Sequence, residues 1–356
     1  MAIPRHRTPE ESSRLLRTWL VARLPEAREV EITDLASPQI GYSAETLLFD
    51  ARWRDGDGPH HERLVARIRP SGYVFFPDVD LRLHHDVLAA LADTDVPVPR
   101  PRWYQDAEGS PFGEPFFVME RIEGLVPPEH PAYTAGGWVA EASPDHQRRI
   151  FHGAVEALAR LHRVDRHSLD LSFLPSVAGG DPGMTTELKL FEEYVGWVLD
   201  GQPDPLFDDT LDTLRNSVPK ADRLCMNWGD PKFSNILYRG TRPVGLLDWE
   251  LATVGPPEND LAFFLTYHNS ITRALGHPDL PGFLGDDAAI ALYEELSGHE
   301  IRHLDWYRLW HLLRLGVMSL RLTQLLVQSG RLPEGSPKAP HHVPRRLLQN
   351  ALKRFR

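Results

Sequence analysis

The chain has one cysteine, Cys225, in 356 residues. An internal disulfide is therefore excluded, and a reducing compartment is the expectation. Cys225 itself reads as a small buried hydrophobe on a strand. Lysine is also scarce. Lys189, Lys220, Lys232, Lys338 and Lys353 are all there are, so none precedes position 189 and arginine carries most of the positive charge. The formal net charge is −11, which argues against nucleic-acid binding because that needs a basic face. It fits a cationic or small polar partner. No long apolar run exists: the most apolar stretch, 309–327, is interrupted by Arg314 and Arg321 and is too charged to span a bilayer. Residues 1–11 hold no signal-peptide core. These absences predict a cytoplasmic protein with no membrane and no nucleic-acid partner. Internal repeats are missing too.

What is present is enough chain for one large domain or two lobes. Thr8-Pro9-Glu10-Glu11 is a helix start, with a Thr cap, Pro in the first turn and a Glu closing the capping box. Strands are predicted over 30–35, 46–53 and 64–69, with a hairpin signal at Asp55-Gly56-Asp57-Gly58. A helix follows over 80–92. Pro97-Val98-Pro99-Arg100-Pro101 starts an edge strand, because proline cannot donate to a ladder. A buried strand is expected over 116–122. The proline-rich stretch 124–131 is the best boundary between lobes, giving units 1–123 and 124–356. Beyond it the pattern is helical over 143–164, 186–199, 210–218, 288–296 and 304–327, and a basic helix closes the chain.

The chemistry concentrates between Cys225 and Glu250. Two short apolar strands flank a polar loop that carries Asp230, Lys232 and Asn235, and Asp248 follows the second strand. A hairpin pairing 236–238 with 245–247 brings Asn235 and Asp248 to one end. Phosphoryl transfer needs such a set: one carboxylate to orient the incoming hydroxyl, and an amide with a second carboxylate to hold a metal on the phosphates.

Gly229-Asp230-x-x-x-x-Asn235 followed by Asp248-Trp249-Glu250 resembles the aminoglycoside phosphotransferase and choline kinase family, within the protein-kinase-like fold. Asp95-Val96-Pro97-Val98-Pro99, Phe117-Val118-Met119-Glu120-Arg121 and Leu161-His162 look like the branch fused to acyl-CoA dehydrogenases. The resemblance implies a two-lobed α+β protein, with a small antiparallel-sheet N-lobe and a larger, mainly helical C-lobe. It implies magnesium, ATP or GTP, and a small-molecule hydroxyl acceptor. Asp230 becomes the catalytic base or orienter, and Asn235 and Asp248 the magnesium ligands. Glu250 touches a second metal or only a backbone N–H. Lys232 stands where protein kinases bind phosphate with lysine; a solvated lysine is the other reading. In the small lobe the nucleotide set is Ser43, Val65, Arg67, His84, Met119, Glu120 and Ile122. Arg67 replaces the usual strand cation, and His84 falls where an acidic or amide partner is expected. Ser43 sits in a turn with only Gly41 for flexibility, so a plain β-turn competes with a phosphate loop. Asp260 matches an acid that braces the catalytic loop, with helix capping as the alternative. Trp228 stands where the family commonly has histidine.

Two other readings remain. A sparse glycine turn and His84 allow a nucleotide-binding pseudokinase. His299-Glu300-Ile301-Arg302-His303 matches the zinc-peptidase pattern, in which two histidines one helical turn apart hold the ion. It follows a helix stop at Ser297-Gly298, and the extended motif fails at Trp306 and Leu309. Trp138, Trp197, Trp306 and Trp310 line an acceptor pocket or pack helices together.

Overall fold

The computed structural model describes residues 7–38, 44–70, 72 and 74–356. Ser43 and Gly41 lie outside the described residues. The chain forms two compact units, Met1–Ala92 with Pro99–Ile122, and Asp93–Val98 with Glu123–Arg356.

The first unit opens with α1 (Pro9–Arg23), whose cap Thr8 accepts a hydrogen bond from the Glu11 N–H at 3.2 Å. Strands β1 (Arg28–Ala36), β2 (Glu45–Asp55) and β3 (Gly58–Ile68) follow, then α2 (Leu81–Leu91), β4 (Pro101–Gln105) and β5 (Phe116–Glu120). They make one antiparallel sheet in the order β1-β2-β3-β5-β4. Gly56 and Asp57 close the β2–β3 hairpin, and the Asp55 carboxylate accepts from the Asp57 N–H at 2.9 Å. Because side chains alternate along a strand, the sheet has two buried faces. One packs Leu47, Phe49, Leu64, Ala66, Ile68, Phe116 and Val118 against Leu16, Trp19 and Leu20 of α1. The other carries Val65 opposite Met119 and Arg67 opposite Phe117. The edge strand begins at Pro101, four residues later than its prolines predict. Pro97 instead offers its carbonyl to the Leu246 N–H at 2.7 Å, inside the second unit.

The second unit is mainly helical. It contains α3 (Pro144–Arg163), α4 (Pro175–Ala178), α5 (Met184–Val198) and α6 (Pro205–Arg215), then the short strands β6 (Cys225–Asn227), β7 (Ile236–Arg239), β8 (Arg242–Leu246) and β9 (Thr253–Gly255). Helices α7 (Pro257–Ile271), α8 (Asp286–Ser297), α9 (Leu304–Gln328) and α10 (His342–Phe355) complete it. α6 starts five residues before its predicted onset. Asp204 caps it, accepting from the Leu206 and Phe207 N–H groups, and Pro205 occupies the first turn. The apolar stripe alone missed that Asp-Pro start. β7 pairs with β8 and β6 with β9, so two small ladders hold the loop that runs from Trp228 to Asn235. Cys225 is buried on β6, where burial pushes its thiol well above the ordinary range.

The zinc-peptidase pattern does not form a helical pair. Gly298 ends α8 in the left-handed conformation, His303 is itself left-handed at φ 56°, and α9 starts only at Leu304. His299 Nε2 is 2.9 Å from Glu258 Oε1. Among the described residues no group of three or more His, Cys, Asp or Glu side chains could hold a metal ion. No helix of the described residues is long and apolar enough to cross a membrane.

Candidate active site

The hairpin of β7 and β8 forms, but one residue out of the expected register: Ile236 lies opposite Leu246 and Leu237 opposite Gly245, and an irregularity follows before Tyr238 meets Pro243. One more bond, Leu247 N–H to Asn235 C=O at 2.8 Å, extends it toward the loop. Asn235 and Asp248 therefore sit at the same end. Asn235 Nδ2 donates to Asp230 at two atoms, the carboxylate Oδ2 at 2.8 Å and the backbone carbonyl at 3.1 Å. Lys232 Nζ lies 3.1 Å from the same Oδ2. Both polar contacts of the Asp230 side chain thus fall on Oδ2. Burial raises the Asp230 carboxyl above its usual range. Lys232 works against that rise, and the charge of Asp248 adds to it.

Backbone geometry explains the dipeptide Gly229-Asp230. Gly229 is left-handed at φ +85°, and a Cβ there would lie 1.8 Å from the Leu251 carbonyl oxygen. Only glycine lets the two segments approach this closely. The loop is held from below by Asp260, in the first turn of α7. Its two carboxylate oxygens accept from the Trp228 N–H at 2.6 Å and the Gly229 N–H at 2.9 Å. His162 Nε2 donates to Asp260 at 3.0 Å, and the Tyr293 hydroxyl sits 2.5 Å from His162 Nδ1. Asp260 is a brace of the loop, since its carboxylate spends itself on residues 228 and 229. Replacing Asp260 by Ala should cost about 3–5 kcal/mol, because two buried N–H groups and a buried imidazole lose their acceptor. Chemical denaturation of the full chain measures this, and a loss below about 1 kcal/mol would refute it.

Arg314 holds the loop from another side. It lies on α9, is 7% exposed, and donates to the Gly229 carbonyl at 3.1 Å. His311 accepts from Arg314 at 3.3 Å and donates to the Asn259 carbonyl at 2.6 Å. Trp228 has a role of its own: its indole N–H donates to the Leu247 carbonyl at 2.8 Å, one residue before Asp248. Glu250 is half-buried, and its charge is felt at Tyr194.

Lys232 is not a solvated lysine. Glu129 Oε1 lies 3.6 Å from Nζ, and the Tyr267 ring centroid is 5.4 Å away. Burial alone would lower the Lys232 pKa, but the carboxylates of Asp230 and Glu129 outweigh it and hold the ammonium well above its usual range.

The nucleotide candidates belong to the first unit. Val65 and Arg67 share a face of β3, and Met119 is the register partner of Val65. Arg67 Nη1 donates to Thr46 Oγ1 at 3.2 Å. His84 is buried on α2, with its ring 5.0 Å from that of Phe117, the residue opposite Arg67. Asp80 caps α2 and Asp86 pairs with Arg82. Glu120 accepts from the Arg100 N–H through its carboxylate, at 3.1 Å, and Ile122 ends the unit. Of the tryptophans, Trp306 and Trp310 are buried with their N–H groups bonded to Leu214 and Asn259, which is helix packing. Trp138 donates to the Val126 carbonyl, and Trp197 lies under Arg321.

A small antiparallel-sheet unit followed by a helical unit with this loop defines a kinase-like phosphotransferase fold. Solved structures agree. A Ralstonia eutropha protein assigned as an aminoglycoside phosphotransferase superposes with a TM-score of 0.68 at 20% identity, covering 95% of this chain and 97% of that one. The aminoglycoside phosphotransferase APH(4)-Ia, in ternary complex with ADP and hygromycin B, gives 0.57 at 13% identity over 95% and 98% of the two chains. Macrolide 2'-phosphotransferase MphH from Brachybacterium faecium gives 0.52 at 17% identity over 95% and 97%. The model of the phosphotransferase enzyme family matches residues 44–300, and the chain belongs to that family. Among curated proteins it is similar to acyl-CoA dehydrogenase family member 11 of Rattus norvegicus, at 28% identity over 236 residues, 65% of this chain and 28% of the relative. The Homo sapiens protein of the same name is 28% identical over 208 residues, 57% of this chain and 25% of the relative. The chain thus spans about a quarter of the length of these relatives.

Proposed function

We propose that the protein transfers the γ-phosphoryl group of ATP or GTP to a hydroxyl group of a small molecule. The arrangement of Asp230 carries this reading. Its Oδ2 is engaged by Asn235 and Lys232, so Oδ1 is the atom available to an incoming hydroxyl. Asp230 Oδ1 takes the hydroxyl proton as the acceptor oxygen bonds to the γ-phosphorus. The bond from that phosphorus to its bridging oxygen breaks, and the nucleoside diphosphate leaves with the electron pair. Ground-state orientation and charge neutralisation supply the rate, with no covalent enzyme intermediate.

The donor set suits magnesium, which prefers few protein oxygens and keeps phosphates and waters as its other ligands. Asn235 has its amide nitrogen committed to Asp230, which leaves its oxygen for a cation, and Asp248 supplies a carboxylate at the same hairpin end. Magnesium, when bound, neutralises charge on the phosphates. Arg67, with Val65, Met119, the 120–122 backbone, His84 and Ser43, is the set proposed for the nucleotide. Glu250 is the candidate for a second metal contact. The structural neighbours named for hygromycin B and macrolides support a small-molecule acceptor, and the acyl-CoA dehydrogenase relatives support a metabolite rather than an antibiotic.

Nucleotide consumption against a panel of hydroxyl acceptors, with and without magnesium, tests the proposal. A magnesium-dependent thermal shift with nucleotide but no consumption on any acceptor would identify a pseudokinase instead. Asp248→Ala should remove the magnesium dependence of nucleotide binding, because it deletes the carboxylate at the hairpin end. Calorimetric titrations that superpose on those of the parent would overturn that assignment.

A further inference from the structure

The phosphotransfer reading leaves a half-buried acid, Glu129, without a task. Glu129 lies in the irregular stretch that precedes α3, outside every motif that marks the site. One of its oxygens, Oε1, gathers three groups from two places in the chain, the catalytic loop and α7. The Ser234 hydroxyl donates to it at 2.5 Å, the Tyr267 hydroxyl at 2.8 Å, and Lys232 Nζ stands 3.6 Å away. Ser234 comes from the catalytic loop and Tyr267 from α7. The Tyr267 ring also flanks the ammonium, 5.4 Å from its centroid.

We propose that Glu129 is a positioning residue for Lys232, and so for the charge that meets the transferring phosphoryl group at Asp230. This rests on the phosphotransfer reading above. A lysine side chain has four rotatable bonds and no fixed fork, so its ammonium goes where its partners draw it. With Asp230 alone as partner, Nζ would settle on the carboxylate that has to accept a proton. Glu129 supplies a second anion, and Nζ is shared by the two, 3.1 Å from Asp230 and 3.6 Å from Glu129. Ser234 and Tyr267 fix the orientation of Glu129. They give its Oε1 two hydrogen bonds that do not depend on Lys232. The acid therefore stays in place when the ammonium turns to the phosphoryl oxygens. Shared attraction leaves the ammonium mobile over a short path, which suits a charge needed most in the transition state.

The experiment uses the full chain and two readouts. In the first, reductive methylation with ¹³C marks the lysines, which number only Lys189, Lys220, Lys232, Lys338 and Lys353. Lys232→Arg assigns the signal of interest. In nucleotide-free and metal-free protein, Glu129→Gln should displace the Lys232 resonance and leave the other four in place. In the second, Glu129→Gln should lower kcat about 10-fold or more, with the nucleotide KM within about twofold, as expected for an interaction that matters mainly in the transition state. Tyr267→Phe, which keeps the ring and loses the hydroxyl, should fall between parent and Glu129→Gln. In a Lys232→Met background Glu129→Gln should have no further effect on kcat. An unmoved Lys232 resonance, an unmoved kcat, or additive losses in the double variant would overturn the inference. If the parent transfers phosphate to no acceptor and not to water, the reaction assigned to this lysine falls and the inference falls with it. That outcome is recognisable because the resonance shift persists without activity.

Discussion

Asp230→Asn is expected to lower phosphoryl transfer by about 10²–10⁴-fold, the usual contribution of a positioned acid–base group, while nucleotide affinity stays within about twofold. The amide can still accept from Asn235 or Lys232 through its oxygen, so the loop keeps its shape; it cannot take a proton at neutral pH. The same carboxyl sets a pH dependence in the parent. Burial raises its pKa, so activity should fall away on the acid side at a higher pH than an exposed aspartate, near 3.9, would give. The carboxylate is the active form, and it is lost as pH drops through the raised value. Steady-state rates for parent and Asp230→Asn over a pH series check both statements. A variant that turns over like the parent, or an acid limb at the ordinary aspartate position, would remove Asp230 from the reaction.

The second large effect is expected at Gly229. Its φ of +85° already strains any other residue, and an added Cβ meets Leu251 at the carbonyl oxygen, carbonyl carbon and Cβ, at 1.8, 2.5 and 2.9 Å. The first two are backbone atoms, so no side-chain rotation relieves the overlap. Gly229→Ala should cost more than about 4 kcal/mol, the range reserved for backbone conflicts in a packed interior. It should also displace Asp230, because both peptide groups of Gly229 are tied, its N–H to Asp260 and its carbonyl to Arg314. Denaturation midpoint and residual activity measure the two consequences. A variant with the parent's midpoint would mean that Leu251 is not packed on the loop as described.

The contrast between these residues and Glu129 or Arg314 shows what a sequence of this kind discloses. Asp230, Asn235 and Asp248 were legible because a single hairpin, closed by the turn at Gly240-Thr241 one residue later than expected, brings them together within nineteen positions. The strand faces were legible for the same reason: alternation is local, and it correctly placed Val65 beside Arg67. Glu129 and Arg314 lie far from the loop in sequence and reach it only through tertiary packing. No local period announces such contacts. Arg314 looked like an interruption of an apolar helix, yet that charge inside an apolar stretch was itself the signal. A buried guanidinium needs acceptors, and it finds one in the Gly229 carbonyl. Asp260 could have been a cap by position; only its hydrogen bonds to Trp228 and Gly229 decide that it is a brace.

The small contribution of residues 93–98 matters for anyone who wishes to take this protein apart. The polypeptide passes from the first unit to the second at Ala92, returns after Val98, and leaves again after Ile122. During that brief visit Pro97 gives its carbonyl to Leu246 on β8, and Asp95 gives its backbone carbonyl to Arg160 on α3. A gene fragment cut at the obvious junction near 123 would therefore strip an outer rung from the ladder that presents Asn235 and Asp248. Excision of the helical unit should retain the six-residue segment, rejoined to Glu123 through a linker in place of 99–122. Split-gene complementation, protease mapping and fragment expression would otherwise be working on a catalytic hairpin with a missing edge.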